Sequence, residues 1–326
     1  GLGDVYKRQL DPWAGHSYAG GLGDHGNDNG NGQESSSEAM QGWGAVYMLG
    51  VALGDREMRD AGIFGWLTES RATAEYWFDR DHIHPGRQHN YDYTLYLSPY
   101  NTNLTSKGIG WWTWFSGDPL WMHSIQWMPV SPCLNYLSED LDFVKWDYET
   151  MVAGTAYSWF EPSGNEAPLA DQSVGNVVLC YMERYDPEGA AAVFDEAWRR
   201  GMGIARGIDT GHISYFVIHS HLTYGDMDFE VTADCPTANA YRLPGGQISY
   251  MVYNPDAVER KVTFFRNGVM ERTVTAPGGV LTVFDVPAVP TSLSITSEAG
   301  TIVPPGSRTA LSAVCLDQYL SLIHIS

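Results

Sequence analysis

Helical periodicity begins at Glu34, directly after a loop-like stretch over 10–33 that is rich in Gly, Asp and Asn. One face at helical spacing is then marked by Ala39, Trp43, Val46, Tyr47, Leu49 and Gly50. Because residues three and four positions apart share a helix face, this pattern predicts a helix, and Gly54 is a typical terminator for it. A second helical pattern runs from Arg56 to Phe78.

Further helical patterns follow at about 119–128, 139–159, 171–184 and 188–203. Pro187 suits the first position of the last of these helices, where no amide hydrogen is needed. Residues 86–118 are rich in aromatic side chains and predict short strands or a loop instead. Helix pairs joined by short turns are the units from which α/α toroids are built.

From about residue 227 the pattern becomes that of short strands separated by turns. Gln247–Tyr253 and Arg260–Phe265 are strand-like, Asn267-Gly268 is a hairpin turn signal, and a further strand ends at Phe284. A Pro-punctuated linker follows, and then come two strand patterns, Thr291–Ile295 and Thr309–Val314, which resemble the start of a bacterial immunoglobulin-like module. The fold class is therefore mixed and mainly α.

The composition is that of a globular protein, with 44% apolar and 18% charged residues. There are 19 basic and 39 acidic residues, so the formal net charge is −20. Nucleic acids, anionic membranes and polyanionic substrates need a basic surface, so the charge argues against all three. A neutral polymer carries no such penalty. Aromatic residues make up 13% of the chain and suit the faces of sugar rings as well as protein cores.

Four scattered cysteines (Cys133, Cys180, Cys235 and Cys315) form no CxxC pair and no dense disulfide framework. We therefore expect free or partly paired thiols, no metal site and no cofactor. No apolar run approaches the roughly 20 residues that span a bilayer. Residues 1–9 and 320–326 resemble translated adapter sequence, and we exclude them from the predicted fold.

The strongest local signal for chemistry is Gln33-Glu34-Ser35-Ser36-Ser37-Glu38. In a helix that starts near Ser35, Glu34 and Glu38 share one face, roughly 6 Å apart. Two acids that close repel, which raises one pKa and favours a carboxylate that takes a proton from water. Acids and serines also cap helix starts, and for the bare string a cap is the better explanation.

A second cluster precedes this motif and favours a substrate site. Asp11-Pro12-Trp13-Ala14-Gly15-His16-Ser17-Tyr18 places an acid, a Trp and a His in a Gly-rich loop. The order Gly15-His16-Ser17-Tyr18-Ala19, then Gln33 to Ala39, closely resembles glycoside hydrolase family 81, the endo-β-1,3-glucanases. Tyr18 stands where the family pattern has Trp.

Later segments agree with the same resemblance, which spans about 10–285. Thr113-Trp114-Phe115 and the block from His123 to Pro132 resemble the family's aromatic and His-Gly-Ile-Gln block, with Ser124 in place of Gly. Ser214 to His219 and Val252 to Pro255 also have counterparts. The resemblance implies part of an (α/α)6 toroid over 10–226, a β-rich tail over 227–286 and a truncated immunoglobulin-like module over 287–319.

The resemblance also implies a mechanism, inverting endo-hydrolysis of β-1,3-glucan. Glu34 corresponds to the general base, and Glu38 is expected to orient the water or tune its neighbour. The family's general acid is an Asp upstream of the Gly-His-Ser motif. We therefore expect the acid to precede residue 1 and this chain alone to be inactive. A monomeric, secreted protein that binds no nucleic acid and enters no membrane is expected.

We predict that substrate contacts come from the two motifs and the aromatic block, through Asp11, Trp13, His16, Tyr18, Gln33, Trp114 and His123. Two rival hypotheses remain. One is a non-catalytic carbohydrate-binding protein, in which the glutamates only cap a helix. The other is a different α/α-toroid enzyme that degrades polysaccharides, such as a lyase. A lyase acts on uronic acids and normally carries basic residues or a metal, which the acidic composition disfavours.

Overall fold

The computed structural model describes residues 9–18, 35–78, 80–81, 103–105, 108–110, 118–155, 157–164, 166–206, 210–285, 290–297, 311–317 and 322–323. The described chain is helical up to residue 224 except for two small hairpins. β1 (Gln9–Asp11) pairs with β2 (His16–Tyr18), and β3 (Asn103–Thr105) pairs with β4 (Gly108–Gly110), both antiparallel.

The first two helices form an antiparallel pair with well-defined ends. Helix α1 is Ser36–Leu53, with Ser35 as its N-cap, and Gly54 ends it in the left-handed conformation at φ 68°. Helix α2 is Arg56–Ala72, begins after the N-cap Asp55 and continues into a π-helical turn, Thr73–Trp77. These bounds confirm the predicted helix pair and its terminator.

Glycines let the backbones of α1 and α2 approach closely. A Cβ atom on Gly50 would lie 2.3 Å from the Arg59 nitrogen, and one on Gly62 would lie 2.5 Å from the Tyr47 nitrogen. The side of α1 that packs inward is consequently made of small residues and Met40, whereas Leu49 of the predicted face is 50% exposed. The apolar pattern therefore predicted the helix correctly but not which of its residues are buried.

The remaining helices are mostly short. They are α3 (Pro119–Ser124), a 3-10 helix (Pro132–Glu139), α4 (Leu141–Thr155), a 3-10 turn (Leu169–Asp171), α5 (Gly175–Met182), α6 (Pro187–Arg200), α7 (Gly203–Arg206) and α8 (Thr210–Tyr224). Pro187 occupies the first turn of α6 behind the N-cap Asp186, as predicted. The pattern missed α8 because its apolar residues surround the helix: Ile218 is buried and Phe216 is 65% exposed.

Two apolar clusters hold the helical part together. The larger joins α1 to the residues from α3 to α5, with Met40, Leu120, Trp127, Leu134, Met151 and Tyr181 among its members. The second lies among α5 to α8 and includes Leu179, Phe194, Ala197, Ile204 and Ile218. The start of α1 is thus anchored in the main core, and the predicted toroid stays a prediction.

The chain from residue 226 to residue 284 forms two small antiparallel sheets. One has the order β10 (Val269–Ala276), β9 (Arg260–Arg266), β6 (Val231–Ala233). The other has the order β11 (Leu281–Phe284), β8 (Ile248–Tyr253), β7 (Ala238–Arg242), β5 (Asp226–Met227). Their shared core includes Tyr250, Val252, Val262 and Phe264. Asn267 and Gly268 form the predicted hairpin turn, both with positive φ.

Three further strands form a separate antiparallel sheet, in the order β12 (Pro290–Ser297), β13 (Leu311–Asp317), β14 (Leu322–Ile323). The strands predicted around 291–295 and 309–314 are present, and the immunoglobulin-like module stays a prediction. In the part of the chain that the structure describes, no helix is both long and apolar enough to cross a bilayer.

Candidate functional site

The described part of the motif with the paired glutamates, Ser35 to Glu38, lies at the N-terminus of α1. Ser35 is the N-cap in an extended conformation, and its hydroxyl accepts a hydrogen bond from the Glu38 amide at 3.3 Å. Glu38 lies in the first turn and is exposed. Glu34 and Gln33 lie outside the described residues. The helix starts at Ser36, one residue after Ser35, and the predicted spacing between Glu34 and Glu38 stays a prediction.

The serines of the motif are buried and bind another part of the chain. The Ser35 hydroxyl donates to the Ile125 carbonyl oxygen at 3.0 Å, and the single Ser37 hydroxyl hydrogen is shared between the carbonyl oxygens of Ile125, at 2.9 Å, and Met128. Ser36 and Ser37 are 0% exposed. Two sequence segments about 90 residues apart are thereby joined, both of them singled out by the family resemblance.

Gln126 completes this junction. Its side-chain oxygen accepts the Ser36 amide hydrogen at 2.8 Å and the Ser36 hydroxyl hydrogen at 2.5 Å, and Gln126 is itself 0% exposed. An amide hydrogen in the first turn of a helix has no partner within that helix, so a buried glutamine oxygen satisfies it. The helix start is therefore fixed by the Gln126 side chain and by backbone carbonyl groups of the segment after α3.

The hairpin of β1 and β2 carries the other predicted contacts. Asp11 accepts hydrogen bonds from the Trp13 and Ala14 amides at 2.9 and 3.2 Å, which closes the turn before Gly15 at φ 78°. Trp13 is 97% exposed, whereas His16 is 1% exposed and its Nδ1 lies 2.9 Å from the Ser17 carbonyl oxygen.

Besides Gln33, two of the predicted contact residues have no described side chain. Tyr18 ends β2, but its side chain lies outside the described residues. Trp114 also lies outside them. For these two residues, and for Gln33 and Glu34, the assigned roles stay predictions.

Glu69 on α2 was not among the predicted site residues. It is 0% exposed, and its two carboxylate oxygens accept from different elements: the Ser17 hydroxyl at 2.8 Å and the Trp43 indole nitrogen at 2.5 Å. In the sequence it sits in Thr68-Glu69-Ser70-Arg71, which is typical of an exposed helix face. No local signal marks it as buried.

His123 lies in the core beneath the helix start rather than at the surface. It is 1% exposed, its Nδ1 lies 3.4 Å from an Asp147 oxygen, and its ring meets the Trp127 ring edge-on. The Trp127 ring stacks on Tyr181 at 3.7 Å. The predicted contact between His123 and substrate is untested, and the described contacts of His123 are with core residues.

The surroundings of the buried Tyr181 side chain favour its neutral, protonated form. Burial, and then the Asp147 charge, raise the pKa of Tyr181 well above its ordinary value. The Tyr181 phenol therefore stays protonated, and its hydroxyl donates a hydrogen bond to Asp147 at 3.1 Å. Within the described residues, no cluster of three or more His, Cys, Asp or Glu side chains could hold a metal ion.

Comparison with known proteins identifies the family. Residues 5–174 match the model of the glycosyl hydrolase family 81 C-terminal domain. The chain belongs to glycoside hydrolase family 81. The match encloses the Gly15-His16-Ser17 loop, which contacts α2 through Glu69, and the start of α1 and the block around Gln126, which contact each other.

Curated proteins named glucan endo-1,3-beta-D-glucosidase are similar in sequence to this chain. A glucan endo-1,3-beta-D-glucosidase of Acetivibrio thermocellus is 30% identical over 267 residues, which are 81% of this chain and 31% of that protein. A protein of the same name from Thermobifida fusca is 28% identical over 278 residues, 85% of this chain and 33% of its own length. The chain thus spans about a third of these relatives.

A solved structure of family 81 also has the same fold. It is a mutant form of the glycoside hydrolase family 81 protein from Clostridium thermocellum, with 28% identity and a TM-score of 0.66. The similarity covers 84% of this chain and 34% of that one. The helices and small sheets described above are therefore the architecture of the matching part of a family 81 protein.

Proposed function

We propose that this chain belongs to an endo-acting hydrolase of β-1,3-glucan that works with inversion. The two curated relatives described above are among those that match, both are named glucan endo-1,3-beta-D-glucosidase, and family membership supports the same substrate here. Glu34 is the proposed general base, and Glu38 the residue that orients the attacking water or tunes Glu34. The general acid, an Asp by resemblance, is proposed to lie outside this chain, and Asp11 is not assigned that role.

One observation carries this proposal more than any other. The three serines between the two glutamates are buried and hydrogen-bonded to the turn after α3, chiefly through Gln126 and Ile125. A serine cap on a surface helix needs none of these contacts, since its hydroxyl only has to reach its own helix. Catalytic carboxylates must be held within a fraction of an ångström, and a helix start anchored in this way supplies a rigid base.

The chemistry divides between two carboxyl groups. In an inverting hydrolase the base takes a proton from a water as that water attacks the anomeric carbon, and the acid protonates the departing glycosidic oxygen. The two carboxyl groups are typically about 6.5–9.5 Å apart, which leaves room for the water. The strongly acidic chain, with a net charge of −20, suits a neutral glucan and not a polyanion.

The test uses a chimera in which this chain replaces the stretch that it matches in the Acetivibrio thermocellus relative. On laminarin the chimera should release soluble oligosaccharides from within the polymer. Because the substrate bond is β, ¹H NMR of fresh product should show the α-anomer first. An initial β-anomer would contradict the inverting mechanism, and a folded chimera without hydrolysis would contradict the function.

A carbohydrate-binding role without catalysis remains a second candidate because of Trp13. Its side chain is 97% exposed at the tip of the β1–β2 hairpin, a position from which an indole can stack on sugar. Glucan binding by the folded chimera without any turnover would favour this candidate. Secretion and a monomeric state are proposed on family grounds alone.

A further inference from the structure

We infer that Glu69 is a positioning residue that ties the β1–β2 hairpin to helix α1. This inference rests on the proposed function, because the hairpin carries the predicted substrate contacts Asp11, Trp13 and His16. Glu69 itself is on α2, is wholly buried and cannot contact a glucan. Its effect on the reaction would pass through the two groups that donate to it.

The two oxygens of Glu69 serve different elements. Oε1 accepts from the Ser17 hydroxyl of β2 at 2.8 Å, and Oε2 accepts from the indole nitrogen of Trp43 on α1 at 2.5 Å. One rigid carboxylate therefore relates the hairpin to the helix that begins at the glutamate motif. Two directional hydrogen bonds to one planar carboxyl group favour a single arrangement of their donors.

The Trp43 ring is guided to Glu69 by the residue one turn earlier on α2. A Cβ atom on Gly65 would lie 2.3 Å from atoms of the Trp43 ring, so only glycine leaves room for the indole there. Gly65 and Glu69 are four residues apart and share a face of α2. The ring thus lies over Gly65, and its N–H group points to the Glu69 carboxylate.

The hairpin has a second contact with α2, at Gly15. A Cβ atom on Gly15 would lie 3.7 Å from the Thr68 carbonyl oxygen, which is ordinary van der Waals distance. Contact of this kind does not fix orientation, whereas the Ser17–Glu69 hydrogen bond does. Burying a carboxyl group costs free energy unless the group is hydrogen-bonded. The hydrogen bonds that Glu69 accepts meet this requirement, and they define the geometry between the hairpin and the helix.

The test compares two substitutions of Glu69, one that keeps both hydrogen bonds and one that removes them. In Glu69→Gln, the amide oxygen can accept from Trp43 while the amide nitrogen donates to the Ser17 oxygen, so both contacts survive. In Glu69→Leu, neither contact survives, although the side chain still fits the space. Glu57→Leu, at an exposed position on the same helix, is the control for introducing leucine.

Kinetics of the chimera on laminarin distinguish positioning from folding. We expect Glu69→Leu to raise KM by about tenfold or more, because the hairpin that binds glucan is no longer held. Glu69→Gln and Glu57→Leu should leave KM within about twofold. Loss of folded protein lowers kcat and leaves KM unchanged, so a normal KM in Glu69→Leu would overturn the inference.

A second measurement on the full 326-residue chain needs no substrate. In ¹H–¹⁵N spectra, Glu69→Leu should shift the Trp43 indole N–H signal and speed its hydrogen exchange by about tenfold or more, while Glu69→Gln should not. An inactive parent chimera would contradict the proposed function only. An unchanged indole signal in Glu69→Leu would contradict the role of Glu69, whatever the chimera does.

Discussion

His221 provides a quantitative test of how the helical part is joined to the sheet that contains β5. The residue is near the end of α8, its Nδ1 contacts Glu183 after α5, and its Nε2 lies 2.6 Å from an oxygen of Asp226 on β5. The perturbation is His221→Gln, which removes the cation at every pH. His212→Gln, at an exposed position on the same helix, is the matched control.

The pKa of His221 sets the expected magnitude. Burial alone would lower this pKa, but the hydrogen bonds and charges of Asp226 and Glu183 outweigh it and raise the pKa to about 9. The difference from an ordinary histidine at about 6.5 is about 2.5 pKa units, or roughly 3 kcal/mol at about 1.4 kcal/mol per unit. The side chains of His221 and Glu183 are only 11% and 4% exposed, so solvent screens their interaction weakly.

The direction of the pH dependence follows from the difference between the pKa of His221 in the folded chain and in the unfolded chain. The folded chain binds this proton more tightly than the unfolded chain, so the stabilisation is complete below pH 6.5 and is lost as the pH rises through about 9. Urea unfolding followed by two probes measures the loss of stability that His221→Gln causes at each pH. This loss should be larger at pH 6 than at pH 10, by roughly 3 kcal/mol. A pH-independent difference would refute the proposed ion pairs.

Two glycine substitutions test the packing of α1 against α2, with opposite signs. Gly62→Ala should lower the free energy of unfolding by about 1–3 kcal/mol, because its Cβ would lie 2.5 Å from the Tyr47 nitrogen and force the helices apart. Gly42→Ala, on the exposed side of α1 with nothing within 4 Å of its Cβ, should raise it by about 0.5–1 kcal/mol. Urea titration measures both, and equal effects would contradict the glycine-mediated contact.

Local chemistry in the sequence was sufficient to predict several element ends. Gly54 ends α1, Pro187 begins α6, and Asn267-Gly268 turns a hairpin, because each of these residues has a conformational preference that acts within its own turn. Helix α8 was missed because its apolar residues do not form a single stripe. Burial on α1 was predicted poorly because close packing there depends on glycines and serines.

The site could be predicted only as separate segments. The resemblance singled out the start of α1 and the block from His123 onward, but nothing in either segment indicated that Ser36 and Gln126 bind each other across 90 positions. Glu69 was not predicted for a similar reason. Its neighbours in sequence are polar and its role depends on Ser17 and Trp43, which only the fold brings to it.

The central claim is that Glu34 is the general base, and Glu34→Gln in the chimera tests it most directly. The substitution keeps the size of the side chain and removes its ability to accept a proton. We predict that turnover on laminarin falls by about 10²–10⁴-fold or more, while glucan binding survives. Turnover close to that of the parent, in a variant that is folded and binds glucan, would contradict the account.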